Sequence, residues 1–226
     1  MVRSIRRWLG REVYRYHQGV ELVSIHVPKT AGTSFKEVLR DNYRKEQILF
    51  AYDELALPYW EGMDMYLDSP TRIIHGHIPA TKAMKLVYSN AKFIAWVRNP
   101  VDRVISYYHF WKKSEPHGNV IHDAFLASNM GLLEFAQQPY LKHEMSSYFG
   151  DLQLEDFFFI GLTEQFEQDL QLLSGKLGWE VDIIPHKNVG NKPKVENNIR
   201  IKLEQILSRE MELYQRILNH RQQCSE

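Results

Sequence analysis

Short apolar runs alternate with amphipathic segments along most of this 226-residue chain. The strand-like runs occupy residues 21–27, 71–77, 91–97 and 156–161. The third run is apolar on both faces, as a strand inside a parallel sheet is. A segment with helical spacing follows each run, such as Phe35, Val38 and Leu39 after the first. Strands that alternate with helices predict an α/β fold with a central, mostly parallel sheet flanked by helices.

The chain length fits one domain over residues 1–226. A basic amphipathic helix is predicted over 1–19 and a long C-terminal helix over 196–220. Through residues 3–16 the first of these either packs on its own domain or contacts an anionic membrane surface. The region 46–70 shows no regular period and mixes aromatic with acidic residues. This composition suits contact with a sugar, or it belongs to a surface excursion.

Composition narrows the function classes. Lys+Arg and Asp+Glu both number 28, so the formal net charge is zero and we expect no nucleic-acid partner. The one cysteine, Cys224, excludes an internal disulfide, and we identify no metal-ligand cluster. No stretch is long enough to span a bilayer, and the start lacks a signal-peptide pattern. We therefore expect a soluble, cytoplasmic protein, either as it stands or as part of a longer chain.

The loop after the first strand carries one lysine, one glycine and three hydroxyl residues. It reads Pro28-Lys29-Thr30-Ala31-Gly32-Thr33-Ser34. A strand–loop–helix of this kind directs backbone N–H groups and a helix N-terminus at one point, where an anion binds. The motif G-x-x-x-x-G-K-[ST] of nucleoside-triphosphate sites is absent. The alternative is that Ser34 and Glu37 only form a capping box.

A second anion-binding pattern follows the third strand. Arg98 ends that strand, and Ser106 lies two turns into the next helix on a face shared with Arg103. Ligands of open α/β sheets bind outside the carboxyl ends of strands. We therefore expect the loops after the first and third strands to face one crevice.

Together these two motifs resemble those of sulfotransferases that use PAPS (3′-phosphoadenosine 5′-phosphosulfate) and release PAP. The form of the first loop is closest to carbohydrate enzymes of the heparan sulfate 2-O and 6-O type. The resemblance implies a P-loop-like sulfotransferase fold in which residues 29–34 bind the 5′-phosphosulfate. It also implies that Arg98 and Ser106 bind the 3′-phosphate and that Lys29 acts in catalysis without a metal. A loop over the adenosine and its 3′-phosphate would contain Lys187, Asn188 and Gly190.

The acceptor hydroxyl needs a base. His77 and His75 flank Gly76 at the end of the second strand, beside the expected crevice. A histidine there is the base in the 2-O enzymes that the segment resembles. We expect His77 to be this base, with an ordinary pKa of about 6.5, and His75 to be the second candidate.

Other residues compete for the role of base. Asp53 and Glu54 are the rivals, since other sulfotransferases use a carboxylate. We interpret His26, inside the first strand, as structural. Acceptor-side candidates are His109, His117 and His122.

The sequence thus predicts sulfuryl transfer from PAPS to an acceptor hydroxyl of a carbohydrate or glycoconjugate. One alternative is a kinase-like, nucleotide-dependent phosphotransferase. The other is a non-catalytic nucleotide-binding protein.

Overall fold

The computed structural model describes residues 19–52, 70–180 and 195–223. Within them, five parallel strands form one sheet in the order β2-β3-β1-β4-β5. The strands are β1 Leu22–His26, β2 Ile48–Ala51, β3 Ile73–Gly76, β4 Lys92–Val97 and β5 Phe159–Leu162. The helices are α1 Gly32–Asn42, α2 Lys82–Val87, α3 Pro100–Lys113, α4 Val120–Ser128, α5 Leu132–Ala136, α6 Glu144–Phe149, α7 Phe166–Leu177, α8 Asn197–Ile206 and α9 Ser208–Gln223. The predicted parallel α/β sheet with flanking helices is confirmed.

Two elements differ from the sequence prediction. Strand β2 lies in the region that was predicted to be irregular, because four residues are too few to show an alternating pattern. The predicted helix over 196–220 is interrupted at Leu207, where α8 ends and α9 follows. The basic helix predicted over 1–19 lies, except for residue 19, outside the described residues.

The sheet is covered on both faces. On one face Val23, Ile74 and Phe93 pack with apolar residues of α2, α6 and α9. On the other face Leu22 and Ile73 pack with α1 and α7. Burial on both sides explains why these strands are nearly continuous in apolar residues.

Helix α3 packs away from the sheet in a third apolar cluster with α4, α5 and α8. Arg103 does not share an outward face with Ser106, as the sequence suggested. It is fully buried, contacts Glu144, and lies 3.9 Å from Glu210. Arg103 therefore ties α3 to α6 and α9, and has a structural role.

The sheet order decides where the functional loops meet. Strand β1 is central, with β3 and β4 as its neighbours, so the loops that follow these three strands leave the same edge side by side. Gly76 at the end of β3 allows β2 to approach, since a Cβ there would lie 1.9 Å from the carbonyl oxygen of Ala51. In the described part of the chain, no helix is long and apolar enough to cross a membrane.

Candidate active site

The loop between β1 and α1 has an unusual backbone. Lys29 and Ala31 adopt left-handed conformations with φ of 69° and 63°, which is uncommon for residues other than glycine. Strain of this kind costs about 1–3 kcal/mol per residue and concentrates at functional sites. Thr30 is buried, and its hydroxyl donates to the carbonyl oxygen of Val27 at 2.7 Å. This hydrogen bond stabilises the conformation of the loop.

Helix α1 begins at Gly32 and has Ala31 as its N-cap, without a side-chain cap. Ser34 is therefore the third residue of the helix and not its N-cap, so the alternative interpretation of Ser34 and Glu37 as a capping box does not apply. Glu37 instead pairs with Arg40 at 2.8 Å. The first N–H groups of a helix have no intrahelical partner. The N-terminus of α1 thus lies in the loop, as the phosphate-cradle interpretation requires.

Two cations meet at this loop. The Arg98 side chain is 6% exposed, and its Nη1 donates to the carbonyl oxygen of Lys29 at 3.4 Å. Its Nη2 is buried without a hydrogen-bond partner among the described residues. Burial, followed by the charge of Arg98, lowers the pKa of Lys29 to about 8, and burial lowers the pKa of Arg98. An anion bound here would relieve the repulsion and give Arg98 its missing partner.

The ammonium of Lys29 lies 3.7 Å from the ring centroid of Phe110, a cation–π contact. Phe110 is on α3 and is 51% exposed. Ser106 lies one helical turn before Phe110, on the same face of α3, and is partly buried. The face that carries Ser106 is therefore turned toward Lys29, which supports one crevice for both motifs.

A cluster of three histidines lies beside the loop, on the α1 side of the sheet. Residues two apart on a strand share a face, so Ser24 and His26 on β1 lie opposite His75 and His77. The ring of His26 stacks on His75 at 5.3 Å and lies 4.7 Å from His77. Nδ1 of His75 is 2.9 Å from Oγ of Ser24.

The cluster is joined to the loop and to β2. Nδ1 of His26 lies 2.9 Å from the hydroxyl of Tyr52, whose ring is 4.8 Å from that of His77. A Cβ at Gly32 would lie 1.8 Å from Nε2 of His26. Gly32 thus lets the His26 ring pack directly against the start of α1. His26, which the sequence analysis treated as structural, is part of this cluster.

Burial keeps the cluster uncharged. Together with the nearby Lys36 ammonium, which contributes less, it lowers the pKa of His75 to about 3 and of His77 to about 4. It also holds the pKa of His26 well below its usual value. The expected value near 6.5 for His77 is therefore too high. Nε2 of His77 is buried and has no hydrogen-bond partner within the described ranges, and the lowered pKa leaves the ring neutral at pH 7.

The sequence matches the family described as "Sulfotransferase domain" over residues 14–158, well over half of the chain. This chain belongs to the sulfotransferase family. Comparison with curated proteins gave no significant match.

Several solved structures are similar to this sulfotransferase. A sulfotransferase from Alicyclobacillus acidocaldarius is 16% identical in sequence and has a TM-score of 0.47. The match covers 83% of this chain and 91% of that chain. Mouse sulfotransferase SULT7A1 complexed with PAP has 14% identity over 74% of this chain, with a TM-score of 0.40. The match spans 62% of that mouse chain. A retinol dehydratase in complex with androsterone and inactive cofactor PAP has 11% identity, 85% and 64% coverage, and a TM-score of 0.40.

Several predicted site residues of this sulfotransferase lie outside the described residues: Asp53, Glu54, Lys187, Asn188 and Gly190. The structure brings the loop 29–34, Arg98, Ser106, His75 and His77 to one edge of the sheet, whereas the acceptor-side candidates His117 and His122 lie where α3 connects to α4. Sequence reasoning missed the contacts of His26, Tyr52 and Phe110. Only His26 had a usable signal, since it is the last residue of a central strand, where ligands of α/β sheets bind.

Proposed function

We propose that this sulfotransferase transfers a sulfuryl group from PAPS to a hydroxyl of a carbohydrate or glycoconjugate. The observation that carries the proposal is the pair of cations at one loop, the half-buried Lys29 and the buried Arg98. No carboxylate forms a salt bridge with either of them in the described part of the chain. Two such cations beside a helix N-terminus fit a donor that carries phosphates at its 5′ and 3′ positions.

In this proposal, each part of the donor has its own ligands. The loop and first turn of α1, residues 29–34, hold the 5′-phosphosulfate through backbone N–H groups and the hydroxyl of Thr33. Arg98 and Ser106 hold the 3′-phosphate. The Thr30 hydroxyl already donates to the carbonyl oxygen of Val27. We therefore propose that this hydroxyl stabilises the loop and that Thr30 contacts the phosphosulfate only through its backbone N–H. Lys187, Asn188 and Gly190 remain proposed contacts of the adenosine and 3′-phosphate.

The chemical step moves one sulfuryl group and one proton. The acceptor oxygen forms a bond to sulfur while the bond from sulfur to the bridging oxygen of the 5′-phosphate breaks. The acceptor proton passes to Nε2 of His77, and Lys29 offsets the charge that develops on the leaving phosphate. Positioning and charge stabilisation supply most of the rate enhancement in transfers of this type.

His77 is the better candidate base of the two histidines. His75 is 1% exposed and enclosed by rings of Phe35, Phe50 and Tyr52. A side chain so enclosed has no path to an acceptor hydroxyl, so we assign it to positioning. His77 is less buried than His75 and packs edge-on against Tyr52. His26 and Tyr52 would then hold the His77 ring in place.

The carbohydrate part of the proposal rests on the form of the first loop and of the His75-Gly76-His77 segment. Both resemble the 2-O and 6-O enzymes. Aromatic side chains near His77, such as Tyr52 and Tyr148, also suit stacking on a sugar ring.

Ligand-induced stabilisation tests the choice of donor. PAP at about 100 times its Kd should stabilise the chain by about 2.7 kcal/mol, a rise in Tm of about 5–10 °C for this size. Differential scanning fluorimetry with PAP, ATP–Mg²⁺ and GTP measures this. Stabilisation by ATP–Mg²⁺ and none by PAP would favour the phosphotransferase alternative. PAP binding without transfer to any hydroxyl acceptor would favour a non-catalytic nucleotide-binding protein.

Arg98→Ala should weaken PAP binding more than Ser106→Ala. Loss of a charge-assisted contact costs about 1.5–3 kcal/mol, against about 0.5–1.5 kcal/mol for a neutral hydroxyl contact. Titration calorimetry of the two variants decides this. Arg40→Ala is the matched control, because Arg40 is an exposed arginine of α1 that pairs with Glu37. If both test variants bound PAP with wild-type affinity, neither Arg98 nor Ser106 would be part of the donor site.

A further inference from the structure

Three potential metal ligands converge where α3 connects to α4, outside the loops of the proposed active site. His117, His122 and Asp123 each place one ligand atom within 4.8 Å of the other two. His117 and His122 have the H-x4-H spacing found in some zinc sites, but the sequence analysis treated both only as acceptor-side candidates. The tertiary structure is what brings the exposed His117 back onto the start of α4.

His122 is oriented as metal-ligating histidines are. Its Nε2 lies 3.1 Å from the carbonyl oxygen of Trp111, so that nitrogen must carry the proton. The lone pair of a neutral ring is then on Nδ1, which is buried without a hydrogen-bond partner among the described residues. The side chain is 1% exposed. A carbonyl that fixes one ring nitrogen as donor leaves the other free to bind a metal.

Nδ1 of His122 lies 3.5 Å from Oδ1 of Asp123. A proton or a metal ion between these two atoms would offset the repulsion between the ring lone pair and the carboxylate oxygen. Two ligands of a tetrahedral zinc ion, each about 2.0–2.2 Å from it, are about 3.3 Å apart. The observed separation is therefore already close to that of a bound pair.

Hydrogen bonds also orient the other two proposed ligands, Asp123 and His117. The Asp123 carboxylate accepts backbone N–H groups of His117 and Gly118 at 3.2 and 3.0 Å, which fixes its position. Gly118 has a φ of 87°, a conformation that lets the chain turn back toward α4. Nδ1 of His117 lies 3.2 Å from the carbonyl oxygen of Glu115, so its Nε2 carries the lone pair. The two histidine rings are 4.8 Å apart.

We propose that His117, His122 and Asp123 form a binding site for one divalent transition-metal ion of the zinc type. Two imidazoles and one carboxylate favour such an ion over Mg²⁺ or Ca²⁺, which prefer oxygen ligands. Three protein ligands leave a position for water. The ion would clamp the 114–119 connection onto the end of α3, the helix that carries Ser106 and Phe110.

Metal titration tests the site directly. The full chain is purified without a polyhistidine tag, stripped with EDTA and titrated with Zn²⁺ by calorimetry, and Co²⁺ binding is followed by visible absorption. We expect one ion per chain, a Co²⁺ spectrum typical of four ligands, a higher Tm with Zn²⁺, and no response to Mg²⁺. Absence of saturable Zn²⁺ binding would overturn the proposal.

Variants locate the ion. His117→Gln and Asp123→Asn should each weaken Zn²⁺ binding at least about tenfold, the scale on which even outer partners of a metal act. His117 is exposed, so we expect His117→Gln to fold. This variant therefore tests the site even if a substitution at the buried His122 prevents folding. His143→Gln, at an exposed histidine, should bind Zn²⁺ as the wild type does. If His77→Gln abolished binding while His117→Gln did not, the ion would belong to the histidine cluster and the proposal would be wrong.

Discussion

His77→Ala is expected to lower turnover by about 10²–10⁴-fold, the usual share of general acid–base catalysis. PAP should bind this variant as it binds the wild type, because the proposed phosphate ligands lie on the loops after β1 and β4. Single-turnover transfer from PAPS to a panel of sugar acceptors, combined with PAP calorimetry, measures both quantities. If no acceptor is found, slow hydrolysis of PAPS is a weaker substitute.

His75→Asn is the matched control. Asparagine can keep a hydrogen bond to Ser24 while it removes the ring. We expect a smaller loss of turnover than in His77→Ala, together with a lower Tm, because a ring is lost from a packed site. A larger loss of turnover in His75→Asn would exchange the two roles. Full activity in both variants, with inactive Asp53→Ala or Glu54→Ala, would assign the base to a carboxylate.

The pH profile tests the same assignment. A base must be neutral, so the rate should fall as the pH drops through the pKa of His77. Burial lowers that pKa to about 4, so activity should persist well below the ordinary histidine range. Lys29 must be charged, and its pKa is lowered to about 8. In kcat/KM for PAPS, which reports the donor-free enzyme, a fall should therefore appear above about pH 8. In kcat this fall should move to higher pH, because the bound anion stabilises the charged amine.

Lys29→Ala is expected to lower kcat by about 10²–10³-fold, the effect of removing one group that stabilises charge developing in a transition state. The KM for PAPS should rise much less, since Lys29 interacts most strongly with the leaving group. Steady-state kinetics with varied PAPS separate the two effects. A variant with normal kcat and only a raised KM would assign Lys29 to ground-state binding.

Lys29→Gly provides the matched control for the backbone. Both substitutions remove the ammonium, but glycine adopts the observed φ of 69° without strain. If the ammonium is the catalytic feature, the two variants should lose similar activity, although Lys29→Gly should have the higher Tm. Recovery of activity in Lys29→Gly alone would show that loop geometry, rather than charge, caused the loss.

Local patterns in the sequence were sufficient for four of the five strands and for the proximity of the loops that carry Lys29 and Arg98. A strand, a loop with Lys29 and a helix are contiguous, as are Arg98 and the helix that carries Ser106. In such segments, hydrophobic period and residue type report the structure directly. In a parallel sheet both loops leave the same edge. The sequence alone therefore places Lys29 and Arg98 near each other.

Properties that depend on packing between distant segments needed the structure. The sequence indicated an ordinary pKa for His77, a surface position for Arg103 and a structural role for His26. Desolvation, the pairing of Arg103 with Glu144, and the contact of His26 with Gly32 are all set by tertiary contacts. The convergence of His117 with His122 and Asp123 has the same origin.

By itself, then, the sequence determined the fold class, the position of the two loops that we propose bind the donor, and the likeness to sulfotransferases. These depend on contiguous residues whose spacing is read along one strand or helix. Only the tertiary structure decided which titratable groups are desolvated, which cations lie close together and which histidines are in contact. Electrostatic free energy depends on burial and on distances between residues far apart in the chain, and no local pattern contains that information.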